Sequence, residues 1–270
     1  TEKLQHVAQT GATIAYLCPV FVADDNPDTL TWSPRQRASK MNNPRNPYRI
    51  MDYFHVDPEY GSDDDLKVFI DKAHDLGMKV MLDMVYLHCG LNAVFIKENP
   101  DFIQRDDNGN PILADWNWPA LNFENKKLRE YLWNNMEYWV KEFDVDGFRL
   151  DVAHGVPLDF WEEARIRLER IRPDIGMLAE AAETRRPADQ LVAFDLNYGF
   201  HYYHGINAVM SGESPATELR NRWNEIATKW PYGSRFIHFF DTHDISNNDW
   251  HNRREKLWGF DGSNAVLVHI

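Results

Sequence analysis

The sequence predicts an α/β fold of the (β/α)8 TIM-barrel class, on the strength of two observations. Short apolar runs rich in strand-forming residues alternate with longer stretches of helical periodicity, an order typical of parallel βα units. Polar residues recur where these runs end, as at the mouth of a barrel. The runs lie at 12–20, 49–56, 79–86, 146–151, 175–180, 191–196 and 235–241. About seven βα units leave the eighth strand without a place, so we expect an incomplete barrel in this chain and a longer native protein.

Four stretches between the apolar runs have the pattern of amphipathic helices. In the stretch 63–76 the apolar side chains lie on one stripe, Ser62 is a candidate N-cap and Gly77 is a stop signal. The same reasoning predicts helices at 126–143, 157–171 and 216–229. Strands and helices therefore alternate along most of the chain.

Two connections, 20–47 and 89–122, are too long to be simple turns. The second contains the pair Asn108-Gly109 between two extended runs, which predicts a β-hairpin. We therefore expect a barrel domain formed by residues 1–88 and 123–270. A small subdomain at 89–122 would interrupt it after the third strand.

Composition narrows the classes of partner. The 270 residues carry a formal net charge of −13, and no run of Lys or Arg stands out, so nucleic acid would be repelled. No apolar stretch approaches the roughly 18 residues that span a bilayer, and the first residues lack signal-peptide character. Cys18 and Cys89 are too few for a disulfide framework and are expected to be free thiols. A neutral substrate is favoured, while compartment and oligomeric state stay open.

The segment GFRLDVAH at 147–154 contains the most informative pair of residues. Alternate residues of a strand share a face, so Arg149 and Asp151 are expected to point the same way and to meet. A carboxylate beside a guanidinium stays ionised at neutral pH, which suits a nucleophile or an electrostatic stabiliser. A lone Arg-x-Asp is more often a structural ion pair, so the interpretation depends on the other motifs.

Polar residues also follow the other apolar runs, namely Asp83, His88, Glu180, His243 and Asp244. The chain has no G-x-G-x-x-G and no G-x-x-x-x-G-K-[ST], so several carboxylates without a nucleotide motif favour acid/base and nucleophilic chemistry. Glycoside hydrolysis requires such a set.

In these segments the chain resembles the α-amylase family of retaining glycoside hydrolases, glycoside hydrolase family 13, from residue 11 to about 244. The motif counterparts are DMVYLH at 83–88, GFRLDVAH at 147–154, MLAE ending at Glu180 and FFDTHD at 239–244. The segment PYRIMDYFHVDPEYG at 47–61 is similar to the second-strand region of the family. Together these matches are specific, whereas each alone would be weak.

The resemblance implies a role for each matching residue. Asp151 would be the nucleophile, Glu180 the general acid and then base, and Asp244 the third carboxylate, stabilising the transition state. Arg149 would orient Asp151 and hold it charged. Glu180 has no basic neighbour in the sequence before Arg185, so apolar surroundings could raise its pKa as an acid catalyst requires.

The same resemblance implies substrate-binding residues. His88 and His243 would hydrogen-bond the sugar in the cleaved subsite, Tyr48 would stack on it, and Asp83 belongs to the same set. Trp116 and Trp118, in the inserted subdomain, are candidates for the cleft, whereas three tryptophans at helical spacing are expected in the core. Those three are Trp133, Trp139 and Trp161.

Departures from the family pattern predict that no calcium is bound at the family's position and that no other cofactor is needed. Leu87 stands where Asn is common and Ala120 where Asp is usual, and neither side chain offers an oxygen ligand. After Asp151 the chain reads Val-Ala-His-Gly where many members have Lys-His, which leaves the substrate open. Thr242 replaces the usual Asn.

The leading hypothesis is a retaining enzyme that cleaves α-glucosidic, mainly α-1,4, bonds of malto-oligosaccharides or starch-like glucans. The alternative within enzymes is a transglycosylase or isomerase that uses the same glycosyl-enzyme intermediate. A catalytically silent carbohydrate-binding or interaction relative is the third hypothesis, disfavoured because all three carboxylates are present. Glu183 is the weaker rival of Glu180 as the acid.

Overall fold

A computed structural model describes residues 1–26, 46–114, 116–181, 191–244 and 253–270. The chain divides into two compact units, Thr1–Glu180 and Ala181–Ile270. Part of the long connection at 20–47, and Glu183 with Arg185, lie outside the described residues. The two units are described in turn.

The first unit is built on a parallel four-stranded sheet. After helix α1 (Leu4–Gln9), its strands are β1 (Ile14–Leu17), β4 (Lys79–Val85), β5 (Gly147–Asp151) and β6 (Gly176–Ala179), adjacent in that order. Helices α2 (Asp63–Asp75), α3 (Lys126–Phe143) and α4 (Leu158–Ile171) connect or precede these strands. Consecutive parallel strands joined by helices confirm the predicted class of fold.

One of the seven predicted barrel strands pairs differently. The run at 49–56 forms β3 (Ile50–Val56), which pairs antiparallel with β2 (Phe21–Ala23) in a separate two-stranded sheet. In strand β3 only Ile50, Tyr53 and Val56 are buried, whereas every residue of β5 is buried. Parallel barrel strands are covered on both faces, so the mixed burial of β3 fits a two-stranded sheet beside the barrel sheet. The assignment of 49–56 to the parallel sheet is therefore wrong.

The predicted helices of the first unit have identifiable ends. Helix α2 begins at a capping box in which Ser62 accepts from the Asp65 amide while the Asp65 side chain accepts from the Ser62 amide. Helix α3 is capped by Asn125 and ends at Asp144, which has left-handed backbone angles.

The core of the first unit is rich in aromatic side chains. Trp139 of α3 and Trp161 of α4 are fully buried, as predicted, while Trp133 is half-buried and stacks on Phe160. The indole Nε1 of Trp161 donates to the Ala153 carbonyl at 3.0 Å. The core therefore also anchors the segment that follows Asp151 at the end of β5.

The hairpin predicted in the inserted segment is confirmed. Arg105 and Pro111 form an antiparallel bridge, and the Gly109 amide donates to the Asp106 carbonyl in the turn between them. A further antiparallel bridge joins His88 to Ala120, at the two ends of the segment. The division of the chain into a barrel and a subdomain at 89–122 stays a prediction.

The second unit contains β7 (Leu196–Tyr198) and β8 (Phe236–Ile237), which pair in parallel, with α5 (Phe200–Met210) and α6 (Thr217–Lys229) between them and α7 (Arg254–His269) after them. The sequence did not indicate α5, because adjacent residues such as Tyr202 and Tyr203 are buried and no single apolar stripe is present. Helix α5 lies close to α6 at Gly205, where a Cβ atom would be 2.8 Å from Arg222 Cγ. None of the helices in the described ranges is long and apolar enough to cross a membrane.

Candidate active site

The candidate site of the first unit lies at the carboxyl ends of adjacent parallel strands. Asp83 of β4 is paired in register with Arg149 of β5, and Val85 is paired with Asp151, the last residue of β5. Glu180 follows Ala179, the last residue of β6. Parallel pairing therefore gathers side chains that are up to about a hundred positions apart in the sequence at one edge of the sheet.

Asp83 is fully buried and has a complete set of donors. Its Oδ2 accepts from the Tyr16 hydroxyl at 2.5 Å and from the Tyr48 hydroxyl at 2.9 Å, and Arg149 Nη1 lies 2.9 Å from Oδ1. Burial raises the pKa of Asp83, and the Arg149 charge and the two hydroxyl groups oppose that shift. Asp83 thus links β1, the segment before β3, and β5.

Arg149 binds three carboxyl groups at once. Besides Asp83, its Nη1 lies 2.6 Å from Asp151 Oδ1 and its Nη2 lies 2.9 Å from Glu180 Oε2. The predicted contact between Arg149 and Asp151 is therefore confirmed. Glu180 has no basic neighbour along the sequence before Arg185, but pairing of β5 with β6 brings Arg149 to it.

The shared cation changes the protonation expected of Asp151. Burial raises the pKa of Asp151 well above its ordinary value, Arg149 opposes this, and the charges of Glu180 and Asp83 raise it further. Arg149 therefore does not act on Asp151 alone, and the role of Arg149 in holding Asp151 charged stays a prediction. One guanidinium faces three acids, so the cluster retains a proton more readily than an isolated Arg–Asp pair.

Glu180 is fixed by backbone groups as well as by Arg149. The Val152 amide donates to Glu180 Oε2 at 2.9 Å, and the Ala153 amide donates to the Glu180 carbonyl at 2.8 Å. Val152 immediately follows Asp151, so the segment after the candidate nucleophile holds the candidate acid. Asp151 and Glu180 are thereby placed in one hydrogen-bonded group.

His88 lies next to the predicted aromatic residues of the inserted segment. Its Nε2 donates to the Tyr48 carbonyl at 3.0 Å, and its ring centroid lies 4.6 Å from that of Trp118 and 5.6 Å from that of Trp116. Burial lowers the pKa of His88 to about 4, so the ring is neutral at pH 7 and Nδ1 is an acceptor. His88 Nδ1 and Trp118 Nε1 are buried with no hydrogen-bond partner among the described residues.

The remaining predicted site residues belong to the second unit. His243 and Asp244 follow β8, and His243 Nε2 lies 3.6 Å from Asp244 Oδ2. The side chain of Asp244 is about half exposed. The role of Asp244 as third carboxylate and that of His243 as a sugar ligand stay predictions.

The prediction that no calcium is bound at the family's position concerns Leu87 and Ala120, and it stays a prediction. Leu87 contacts Gly155, where an added Cβ would be 2.8 Å from Leu87 Cδ1, and Ala120 is bridged to His88. Neither side chain has an oxygen, whereas Ca²⁺ takes about 6 to 8 oxygen ligands. Across the described ranges, no group of three or more His, Cys, Asp or Glu could hold a metal ion.

Sequence reasoning missed Tyr16 as a site residue and gave Cys18 no role beyond a free thiol. Tyr16 lies in β1 and Cys18 follows this strand directly; burial raises the pKa of the Cys18 thiol, and the charge of Asp83 raises it further. Tyr16 and Cys18 are two positions apart, as are residues on one face of a strand, and this spacing could have indicated Tyr16. No sequence motif marked Tyr16 as a site residue. Cys18 and Cys89 are free thiols, as predicted.

The family model described as the catalytic domain of alpha amylase matches residues 1–108 and 113–244. A maltogenic alpha-amylase of Bacillus acidopullulyticus is 31% identical over 202 residues, covering 66% of this chain and 30% of that protein. A cyclomaltodextrinase of Geobacillus thermopakistaniensis is 29% identical over 197 residues, with the same two coverages of 66% and 30%. The chain thus spans less than a third of the length of these relatives.

Two solved structures are similar to this chain over most of its length. A noncanonic maltogenic alpha-amylase from Thermotoga neapolitana is 31% identical with a TM-score of 0.79, covering 90% of this chain and 54% of that one. An alpha-amylase from Lactobacillus plantarum is 29% identical with a TM-score of 0.79, covering 92% of this chain and 60% of that one. With the family model matching most of its residues, the chain belongs to the α-amylase family.

Proposed function

We propose that this protein is a retaining glycoside hydrolase that cleaves α-glucosidic bonds, chiefly α-1,4, in malto-oligosaccharides or starch-like glucans. The observation that carries the proposal is the contact of one guanidinium, Arg149, with Asp151 and Glu180 at the ends of adjacent strands. Retaining enzymes need two carboxyl groups side by side, one as nucleophile and one as acid. Relatives named maltogenic alpha-amylase and cyclomaltodextrinase support a substrate of the malto-oligosaccharide class.

The first chemical step uses the proton that the acid-rich cluster retains. With that proton on Glu180, Asp151 attacks the anomeric carbon while Glu180 protonates the glycosidic oxygen, whose bond to the carbon breaks. The products are a glycosyl ester of Asp151 and an alcohol. Arg149 contacts both side chains, so it stabilises the charge that remains on Glu180 after proton transfer.

In the second step Glu180 acts as a base. It removes a proton from water, the water oxygen bonds to the anomeric carbon, and the ester bond to Asp151 breaks. Two displacements at the same carbon retain the α configuration. If a sugar hydroxyl takes the place of water, the reaction is transglycosylation. The same residues serve both reactions, so the products distinguish hydrolysis from transglycosylation.

Substrate contacts are assigned in the same proposal. Tyr48 stacks on the cleaved sugar, and the acceptor Nδ1 of His88 and the donor Nε1 of Trp118 offer hydrogen bonds to sugar hydroxyl groups, because both atoms are buried without a partner in the described structure. Trp116 extends this aromatic surface. We assign to Asp83 the role of holding Tyr48 and Arg149 in place, because it contacts both side chains. The roles proposed for His243 as a sugar ligand and Asp244 as the third carboxylate rest on the motif FFDTHD at 239–244.

The test follows the anomeric configuration of product released from maltotriose, by proton NMR, with the full-length protein. We expect α-maltose or α-glucose first, and a glycosyl adduct on Asp151 when the enzyme is treated with a 5-fluoro-α-glucosyl fluoride and digested for mass spectrometry. An initial β product, or an adduct on another residue, would refute the assignment. Longer or rearranged glycans in the same spectra would favour the transglycosylase or isomerase alternative.

A further inference from the structure

Val152, the residue directly after the candidate nucleophile, has an unusual backbone conformation. Its φ of 43° and ψ of 44° are left-handed, and the other non-glycine residues of the described chain with positive φ are Asn117 and Asp144. Asn and Asp tolerate this region, whereas a β-branched side chain is strained there. Such strain persists where surrounding contacts impose it and clusters at functional sites.

The contacts of this strained turn are with Glu180. The amide of Val152 donates to Glu180 Oε2 at 2.9 Å, and the next amide, that of Ala153, donates to the Glu180 carbonyl at 2.8 Å. The Trp161 indole also holds this segment, because it donates to the Ala153 carbonyl. The turn after Asp151 therefore directs two successive backbone amides, those of Val152 and Ala153, to Glu180, which directly follows β6.

The two carboxyl oxygens of Glu180 differ in their contacts. Arg149 Nη2 lies 2.9 Å from Oε2, the same oxygen that accepts from the Val152 amide. Both groups are donors only, so Oε2 must present lone pairs and cannot carry the acid proton. The proton of the neutral carboxyl therefore belongs on Oε1.

Resting on the proposed function, we propose that Val152 is a positioning residue whose backbone amide reserves Oε2 of Glu180 as an acceptor, so that Oε1 delivers the proton to the leaving group. In that step the Oε1–H bond breaks, a bond forms between the proton and the glycosidic oxygen, and the electrons of the broken carbon–oxygen bond go to that oxygen. Negative charge then appears on Glu180. The hydrogen bond from Val152 strengthens as that charge develops, so it favours proton transfer.

The direct test replaces the amide of Val152 by an ester, through incorporation of 2-hydroxy-3-methylbutanoic acid at this position in the full-length protein. The amide of Val152 bonds only the Glu180 side chain in the described structure, so this change removes one donor and keeps the side chain. A hydrogen bond to a charged group corresponds to a fall of about tenfold to hundredfold in kcat/KM on maltotriose, whose leaving group needs an acid. On α-glucosyl fluoride, which leaves without protonation, less than a threefold change is expected.

The pH profile gives a second readout. The groups that face Glu180 in the first unit are Arg149 and Asp151, and Arg149 is shared with Asp83. Loss of this donor disfavours the ionised form of the acid, so the basic limb of kcat/KM should move to higher pH. The matched control is an ester at Gly155, whose amide bonds the Val152 carbonyl and not Glu180. This control should change neither the dependence on the leaving group nor the basic limb.

A measurement on the unmodified protein covers the case in which the ester variant does not fold. With valine labelled at the amide nitrogen, the Val152 resonance should titrate with the midpoint of the basic limb and should lose that titration in Glu180→Gln. An absent titration, or an equal fall on both substrates in the ester, overturns the inference. If Glu180→Gln itself shows no dependence on the leaving group, the proposed function fails instead.

Discussion

The two ends of the parallel sheet in the first unit carry opposite kinds of charged cluster. At the carboxyl end, the described residues place one guanidinium, that of Arg149, against three acids, Asp83, Asp151 and Glu180. At the amino end, the buried carboxylate of Asp146 is surrounded by nitrogen atoms of side chains and of the backbone. These are His74 Nε2 at 2.7 Å, Arg172 Nη1 at 2.7 Å, Lys79 Nζ at 3.9 Å and the Val80 amide at 2.8 Å.

The comparison shows what distinguishes a cluster that stabilises from one that can move protons. Both carboxylate oxygens of Asp146 accept hydrogen bonds from nearby donors, so its charge is satisfied and it holds α2, β4 and β5 together. In the Arg149 cluster, burial raises the pKa of Asp83 and of Asp151, and the charges of Glu180 and Asp83 raise the pKa of Asp151 further. A surplus of acids makes one proton transferable, and that is the property a glycosidase uses.

The largest expected difference is between Asp151→Asn and Asp146→Asn. The first removes the nucleophile, and kcat should fall by roughly 10⁴-fold or more while the fold is retained. The second breaks a buried charged network and should lower the free energy of unfolding by about 3 kcal/mol with little loss of activity per folded molecule. Steady-state kinetics and urea unfolding measure the two effects. If both variants lose activity and stability together, the distinction between the clusters does not hold.

The next test removes one arginine from each cluster. Arg149→Met removes the cation that three acids share, which raises the pKa of Asp151 further, so the acidic limb of kcat/KM should move to higher pH and kcat should fall by about a hundredfold or more. Asp146 keeps His74 and Lys79 in Arg172→Met, so that variant should lose only about 1–2 kcal/mol of stability and keep the wild-type pH profile. A profile unchanged in Arg149→Met would contradict the role given to this residue.

A smaller effect is expected when one donor is removed from Asp83. In Tyr16→Phe, Asp83 loses its hydrogen bond at 2.5 Å, and its pKa rises because the ionised form loses a donor. We expect kcat/KM to fall by about tenfold, since the contact is a hydrogen bond to a charged group. The matched control is Tyr86→Phe, which removes the hydroxyl that donates to Asn135 in the core. That control should alter thermal stability but not kcat/KM.

The smallest expected effect is on stability, at the strained turn. Val152→Gly should raise the free energy of unfolding by about 1 kcal/mol, because glycine adopts left-handed angles without the penalty of a β-branched side chain. The control is Asn117→Gly, at a φ of 62°, where little change is expected because Asn tolerates this region. Thermal unfolding by calorimetry compares them. A loss of stability in Val152→Gly would show that the turn carries no strain.

Several features of the fold were predictable because they depend on neighbouring residues. The helix at 63–76 was readable from Ser62 and Gly77, and the hairpin from Asn108-Gly109, since capping and turn formation are local. The strand at 49–56 was readable as a strand but not as a partner of Phe21–Ala23. Pairing depends on which distant segment covers each face, and a single run of residues does not contain that information.

By itself the sequence determined the motif residues Asp151 and Glu180, their order and the pairing of Arg149 with Asp151, because alternation along a strand dictates which side chains share a face. Only the tertiary structure decided that Arg149 is divided among three acids and that Glu180 has a cation and the Val152 amide as partners. Parallel registers bring these groups together from separate strands. Burial then sets their pKa values, and both effects depend on contacts far apart in the chain.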